Sequence, residues 1–224
     1  RLLPYLEMGW AVVNVEYRMA SVALAPAAVE DCLCSLRWIA RNAEQYNLDA
    51  SRVVVTGMSA GGHLSLTTGM IPSSAGLDRQ CEERAFSGPR APDPANVAAI
   101  INWYGITDVV DLLAGPNTKG YAVEWLGSLV NREEVAARVS PLTYVSRDVP
   151  PILTIHGDAD PIVPYQHALR LQEKLNAASV PNELHTVAGG SHGRFNDEQT
   201  IEIYSKIFSF LSRHGVSGKG STSQ

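Results

Sequence analysis

The run Gly57-Met58-Ser59-Ala60-Gly61-Gly62-His63 places a serine with glycine two positions to either side. It follows the apolar stretch Val53-Val54-Val55-Thr56 and leads into a helix-compatible segment. A serine on a very sharp strand-to-helix turn has a strained backbone, and small residues two positions away keep the turn free of collisions. Gly57 and Gly61 are expected to meet that need. Such a turn lifts the Ser59 hydroxyl above the sheet and sets the Ala60 N–H at a helix N-terminus, where it can stabilise an oxyanion. The chemistry implied is nucleophilic attack. The bland alternative is a glycine-rich turn whose serine is incidental. No Gly-Lys-Ser/Thr follows and the spacing is not Gly-x-Gly-x-x-Gly, which sets phosphate and dinucleotide loops aside.

A nucleophilic serine needs a base, and the base needs a carboxylate to orient it. In a parallel sheet the strand ends share one edge, so candidates belong just past strands. His156-Gly157-Asp158-Ala159-Asp160-Pro161 follows the strand-like run Pro151–Ile155. Gly189-Gly190-Ser191-His192-Gly193 follows Glu183–Val187. The chain order is therefore Ser59, then Asp158 or Asp160, then His192. That order is a second signal, nearly independent of the first, and it weighs against the incidental serine.

The other histidines carry weaker signals. His63, one helical turn past Ser59, either lines the site or packs, and packing is preferred. His156, beside the acid turn, reads as structural, and His167, His185 and His214 show no local pattern. Nothing like His-Glu-x-x-His is present, so no metal site is expected. Trp103-Tyr104-Gly105, at a strand end, fits an acyl-pocket wall and aromatic core packing equally well.

These residues need a scaffold. Apolar, β-branched runs predict strands at Trp10–Tyr17, Val53–Thr56, Val97–Trp103, Pro151–Ile155 and Glu183–Val187. Helical spacing predicts a helix opened by Pro26 with Val29, Leu33, Leu36 and Ala40 on its face, and another beginning beside Ser59. Two more follow, one through Ala168, Leu171, Leu175 and Ala178 and one with Ile201, Tyr204, Ile207, Phe208 and Leu211 inward. Alternation of strand and helix implies βαβ crossovers and a mostly parallel sheet. Ile71 to Asn96, with Pro89, Pro92 and Pro94 and no period, reads as a long surface excursion. Thr107 to Val149 reads as mixed helix and loop. Residues 1–214 are expected to form one catalytic domain and residues 215–224, rich in Gly and Ser, a disordered tail.

The 224 residues, 24.2 kDa, suffice for one domain with a sizeable core. A net charge of −5 without a Lys/Arg block argues against a nucleic-acid surface. No apolar run approaches the ~18–20 residues of a membrane span. Three cysteines cannot complete a disulfide framework. Cys32 and Cys34 lie two apart on a helix and point in different directions, which disfavours a bond between them. Cys32–Cys81 and Cys34–Cys81 are both open, and free buried thiols are the expectation.

The strings Val15-Glu-Tyr-Arg18, Ala27-Ala-Val-Glu-Asp-Cys32, Leu36-Arg-Trp38, Gly57–His63 and His156-Gly-Asp-Ala-Asp-Pro-Ile-Val-Pro164 together resemble the α/β-hydrolase esterases. The likeness is greatest to the bifunctional feruloyl/acetyl-xylan esterases, with the hormone-sensitive-lipase-like carboxylesterases nearby, and it runs from about Leu3 to Leu211. The resemblance implies the α/β-hydrolase fold and hydrolysis of small-molecule carboxylic esters through an acyl-enzyme, without a cofactor. It implies Ser59 as nucleophile, Asp160 (the second aspartate of His-Gly-x-x-Asp) as acid and His192 as base, with Ala60 N–H as one oxyanion donor.

One departure stands out. The family carries a His-Gly-Gly-(Gly) oxyanion loop after a third strand, and neither motif nor strand occurs here. The expectation is thus a fragment of a longer hydrolase, with N-terminal strands missing and a feeble or insoluble isolated chain. Two rival readings are a serine peptidase of the prolyl-oligopeptidase type and a catalytically impaired remnant or binding module. Met58-Ser59-Ala60 before Gly61-Gly62-His63 favours the esterases over the peptidases. Localisation, oligomeric state and acyl preference leave no trace in the sequence.

Overall fold

A computed structural model describes residues 2–79, 81 and 94–216. Among them, four strands form one parallel sheet in sequence order: β1 (Val53–Met58), β2 (Val97–Trp103), β3 (Ile152–Gly157) and β4 (Asn182–Val187). The helices are α1 (Leu3–Glu7), α2 (Ala27–Asn42), α3 (Ala60–Met70), α4 (Gly120–Leu126), α5 (Arg132–Arg138), α6 (Gln166–Ala177) and α7 (Asp197–Arg213).

Both faces of the sheet are covered, which explains strands that read as continuous apolar runs. Along β2, Ile100 packs with Leu66 and Met70 of α3 and Leu171 and Leu175 of α6. Its neighbours Ala99 and Ile101 point the other way, into Tyr5 of α1 and Ile203, Ile207 and Phe210 of α7. β3 repeats the alternation, with Ile152 on the first face and Leu153 and Ile155 on the second. A third cluster joins α2 to the 106–139 stretch through Val29, Leu33, Leu112 and Leu126. The 107–149 stretch holds α4, α5 and short 3-10 turns.

Several expectations are corrected. Trp10–Tyr17 joins no ladder among the described residues, so β1 is a sheet edge. A strand is made by its pairing, and here an apolar groove of about 460 Å³ is lined by Trp10, Val13 and Val15 of the segment together with Val54 of β1 and Leu64 of α3. Side chains anchor the segment instead. Val15 and Tyr17 pack on the α2 cluster, and Arg18 grips Asp31 of α2 through Nε and its own N–H.

The inward face of α7 also differs. Ile203, Ile207, Phe210 and Leu211 are buried, whereas Ile201 and Phe208 are 70% and 45% exposed. The capping box Asn196–Gln199 starts this helix at Asp197, and its docking on β2 and β3 keeps Ile207 and Leu211 inward as expected while Ile203 and Phe210 take the place of Ile201 and Phe208.

The cysteines are not all free. Cys34 is disulfide-bonded to Cys81 with Cα atoms 5.3 Å apart, and Cys32 is a buried free thiol. Their divergence on α2 is what sends one sulfur to a partner and the other into the core. In the excursion, Asp78 is buried against Arg37 of α2. Residues 80 and 82–93, including Pro89 and Pro92, lie outside the described residues, as do residues 217–224 of the expected tail. Val216 is buried and its N–H reaches the Leu211 carbonyl at 2.8 Å.

Candidate active site

Ser59 links β1 to α3 with φ 56° and ψ −117°, a backbone region that L-residues adopt only under constraint. The constraint comes from both sides. Its N–H donates to the Trp103 carbonyl at 3.0 Å, and its own carbonyl accepts from His63 N–H at 3.0 Å. Ala60 is the first residue of α3, so its N–H is one of the helix-start donors without an intrahelical acceptor.

The glycines divide their labour differently from the expectation. A Cβ on Gly57 would strike the Gly61 backbone, so glycine is required there. A Cβ on Gly61 would meet nothing within 4 Å. The second tight position is Gly62, where a Cβ would stand 2.6 Å from the Trp103 carbonyl oxygen and 2.9 Å from the Gly105 Cα. Sequence reasoning passed over Gly62; its only signal is the doubled glycine.

The ends of β3 and β4 bring the other side chains to the same rim. His192 Nε2 lies 2.8 Å from Ser59 Oγ, and its Nδ1 lies 2.7 Å from Asp160 Oδ2. The remaining oxygen of Asp160 accepts the N–H groups of Ile162 at 2.8 Å and Val163 at 3.0 Å. The Asp160 side chain is closed to solvent, while that of His192 retains 19% exposure. Burial alone would raise the Asp160 pKa, but hydrogen bonds from His156, His192, Ile162 and Val163 outweigh it and hold the group at about 2. A carboxylate that stays ionised beside a ring nitrogen makes that nitrogen the donor. Nε2 is then left to accept from the serine hydroxyl.

Asp158, the other aspartate of the turn, points away and accepts the Gly189 N–H. Lys119 and Tyr121, from the start of α4, donate to the Pro161 and Ile162 carbonyls and pin the acid turn. Neither was found from sequence, because the contact joins segments about forty residues apart.

The other candidates fall in different places. His63 is buried, with Nδ1 2.9 Å from the Ile106 carbonyl and its ring edge-on to Trp125. Burial pushes its pKa down to about 4. His167 is likewise buried and accepts the Thr107 N–H. Trp103 and Tyr104 both belong to the core, and the Tyr104 ring also meets the His192 ring edge-on at 4.7 Å. His156 lies 3.2 Å from Asp160 through Nε2, a contact with the acid that its local string does not announce. Among the described residues no cluster of metal-ligating side chains occurs, and no helix is long and apolar enough to cross a membrane.

The chain is 28% identical over 177 residues to esterase LipC and 27% identical over 179 to the probable carboxylic ester hydrolase LipM, both of Mycobacterium tuberculosis. These matches cover 76% and 77% of this chain but 41% and 39% of the relatives, so the chain spans about two fifths of their length. Among solved structures, a truncated form of a carbohydrate esterase from gut microbiota superposes with a TM-score of 0.75 at 28% identity, over 95% of this chain and 77% of that one. The acetyl ester-xyloside bifunctional hydrolase of Caldicellulosiruptor lactoaceticus superposes at 0.77 and 23% identity, over 96% and 76%, a likeness of fold. The parallel sheet covered on both faces, with its strand-end turns at one rim, is that of an α/β-hydrolase. The model of one family runs through the elbow, the acid turn and the helix after it, matching residues 2–175, and the chain accordingly belongs to the BD-FAE family.

Proposed function

We propose that this chain carries the catalytic machinery of a serine carboxylic ester hydrolase, with Ser59 as nucleophile, His192 as general base and Asp160 as the orienting acid. The observation that carries the reading is the unbroken line from Asp160 Oδ2 to His192 Nδ1 and from His192 Nε2 to Ser59 Oγ, at 2.7 and 2.8 Å. His192 takes the hydroxyl proton as Ser59 Oγ attacks the ester carbonyl carbon. The resulting oxyanion is met by the Ala60 N–H at the start of α3. Collapse of the tetrahedral intermediate expels the alcohol, which receives its proton from His192. A water molecule, deprotonated by the same imidazole, then releases the acid and restores Ser59.

The relatives, an esterase and a probable carboxylic ester hydrolase by name, support esters over peptide amides. The name of the carbohydrate esterase at 28% identity supports an acylated carbohydrate as substrate. The family's second oxyanion donor belongs to a His-Gly-Gly loop that this sequence lacks. Full activity is therefore proposed of a protein that supplies such a donor.

Ser59→Ala is expected to lower turnover of a small p-nitrophenyl ester by about 10⁴-fold or more. A parallel assay on a peptide amide is expected to show no comparable rate. Undiminished ester hydrolysis by the alanine variant would sink the assignment.

A further inference from the structure

We propose that His156 is a positioning residue for Asp160: a neutral imidazole whose Nε2–H, shared with the Val163 carbonyl, holds the carboxylate oxygen that faces His192. The proposal rests on the triad reading above and adds a second histidine to its acid.

The protonation state follows from the neighbours. His156 Nε2 lies 3.1 Å from the Val163 carbonyl oxygen and 3.2 Å from Asp160 Oδ2. Both oxygens only accept, so Nε2 carries the proton. Nδ1 is buried without a hydrogen-bond partner among the described residues, and a second proton there would be stranded. The ring is fully buried on β3, edge-on to Tyr165 at 5.6 Å and to Tyr104 at 6.4 Å. The titratable groups facing it are Asp160, Tyr104, Tyr165 and His167, with His192 across the carboxylate.

Asp160 is therefore saturated. Two backbone N–H groups hold one oxygen, and two imidazoles of opposite orientation share the other. His192 offers Nδ1 and His156 offers Nε2. The second donor draws negative charge away from the bond to His192 and stops the carboxylate rotating. Without it, Oδ2 becomes a stronger acceptor and stabilises the imidazolium form of His192. That form cannot act as base, so the acid side of the pH–rate profile moves to higher pH.

Two variants separate this role from simple core filling. His156→Leu keeps the bulk and loses the donor; His156→Gln keeps an N–H near the position of Nε2. In kcat/KM against pH with a small ester, the leucine variant is expected to shift the acid limb upward by about half to one pH unit. Its KM should be little changed, and glutamine is expected to restore the limb. A folded leucine variant with an unmoved limb, or glutamine and leucine displaced equally, would overturn the proposal.

Nitrogen-15 NMR of histidine-labelled wild-type protein tests the same claim without a substitution. A neutral Nε2–H tautomer at residue 156 is expected, and an Nδ1–H tautomer or a charged ring would refute it. Full ester hydrolysis by Ser59→Ala would instead defeat the triad reading, and the tautomer measurement would still report on the bond between His156 and Asp160.

Discussion

Gly62 lies against the Trp103 carbonyl so closely that a methyl group on its Cα would stand 2.6 Å from that oxygen and 2.8 Å from Asn102 Oδ1. The same carbonyl accepts the Ser59 N–H. One peptide group at the end of β2 therefore sets both how near α3 approaches the sheet and where the elbow is tied down.

The two glycines after the elbow should consequently respond in opposite ways. Gly62→Ala pushes α3 off β2 and is expected to cost about 1–3 kcal/mol of stability, together with activity. Gly61→Ala enters open space within a helix and is expected to be neutral, or stabilising by up to about 1 kcal/mol. Urea denaturation of the two variants beside wild type checks the contrast.

Asp160 links folding to acidity. Its folded pKa of about 2 lies below the ordinary 3.8 because four hydrogen bonds overcome the penalty of burial. A depressed carboxyl contributes stability that is fully present above the unfolded value and is lost as pH falls through the folded one. The window is thus about pH 4 down to pH 2. Allowing for solvent screening at a turn near the surface, wild type is expected to lose about 1–2 kcal/mol there that Asp160→Asn does not lose. At neutral pH the same variant should hydrolyse esters about 10³- to 10⁴-fold more slowly. Denaturant midpoints at pH 5 and pH 2.5, with ester assays at neutral pH, test both parts.

The cysteines predict a redox and a reactivity pattern. The bond from Cys34 to Cys81 closes a loop across 47 positions of sequence. Its reduction is expected to cost about 2–4 kcal/mol, seen as a lower melting temperature in dithiothreitol. Cys32 is buried, and burial followed by the nearby Asp31 charge raises its thiol pKa to about 12. Iodoacetamide should therefore modify Cys32 only after unfolding, which mass spectrometry of native and denatured samples resolves.

Much of the scaffold is legible in the linear chain because the signals are local. Continuous apolar runs mark β1, β2 and β3 as strands, of which β2 and β3 are buried while the edge strand β1 is only half-buried, and each ends in a glycine-bearing or aromatic turn. Parallel order then puts the turns at Ser59, Asp160 and His192 on one rim. The positive-φ serine is likewise written locally, since Gly57 leaves room that only the absence of a side chain provides.

What the chain decides only on folding depends on how distant elements are set against each other. Periodicity shows that α7 has apolar stripes, yet docking on β2 and β3 chooses Ile203, Ile207 and Phe210 over Ile201 and Phe208. Trp10–Tyr17 has strand-like composition, but composition cannot supply a ladder partner. Helical spacing separates Cys32 from Cys34 without saying which one meets Cys81. The turn after β3 offers two aspartates, and only the arrival of β4 sends Gly189 to Asp158 and His192 to Asp160. Local strings specify conformation through steric and solvation preferences of neighbouring residues. Long-range hydrogen bonds require two separate backbones to be placed within a fraction of an ångström, and the packing of the whole core achieves that.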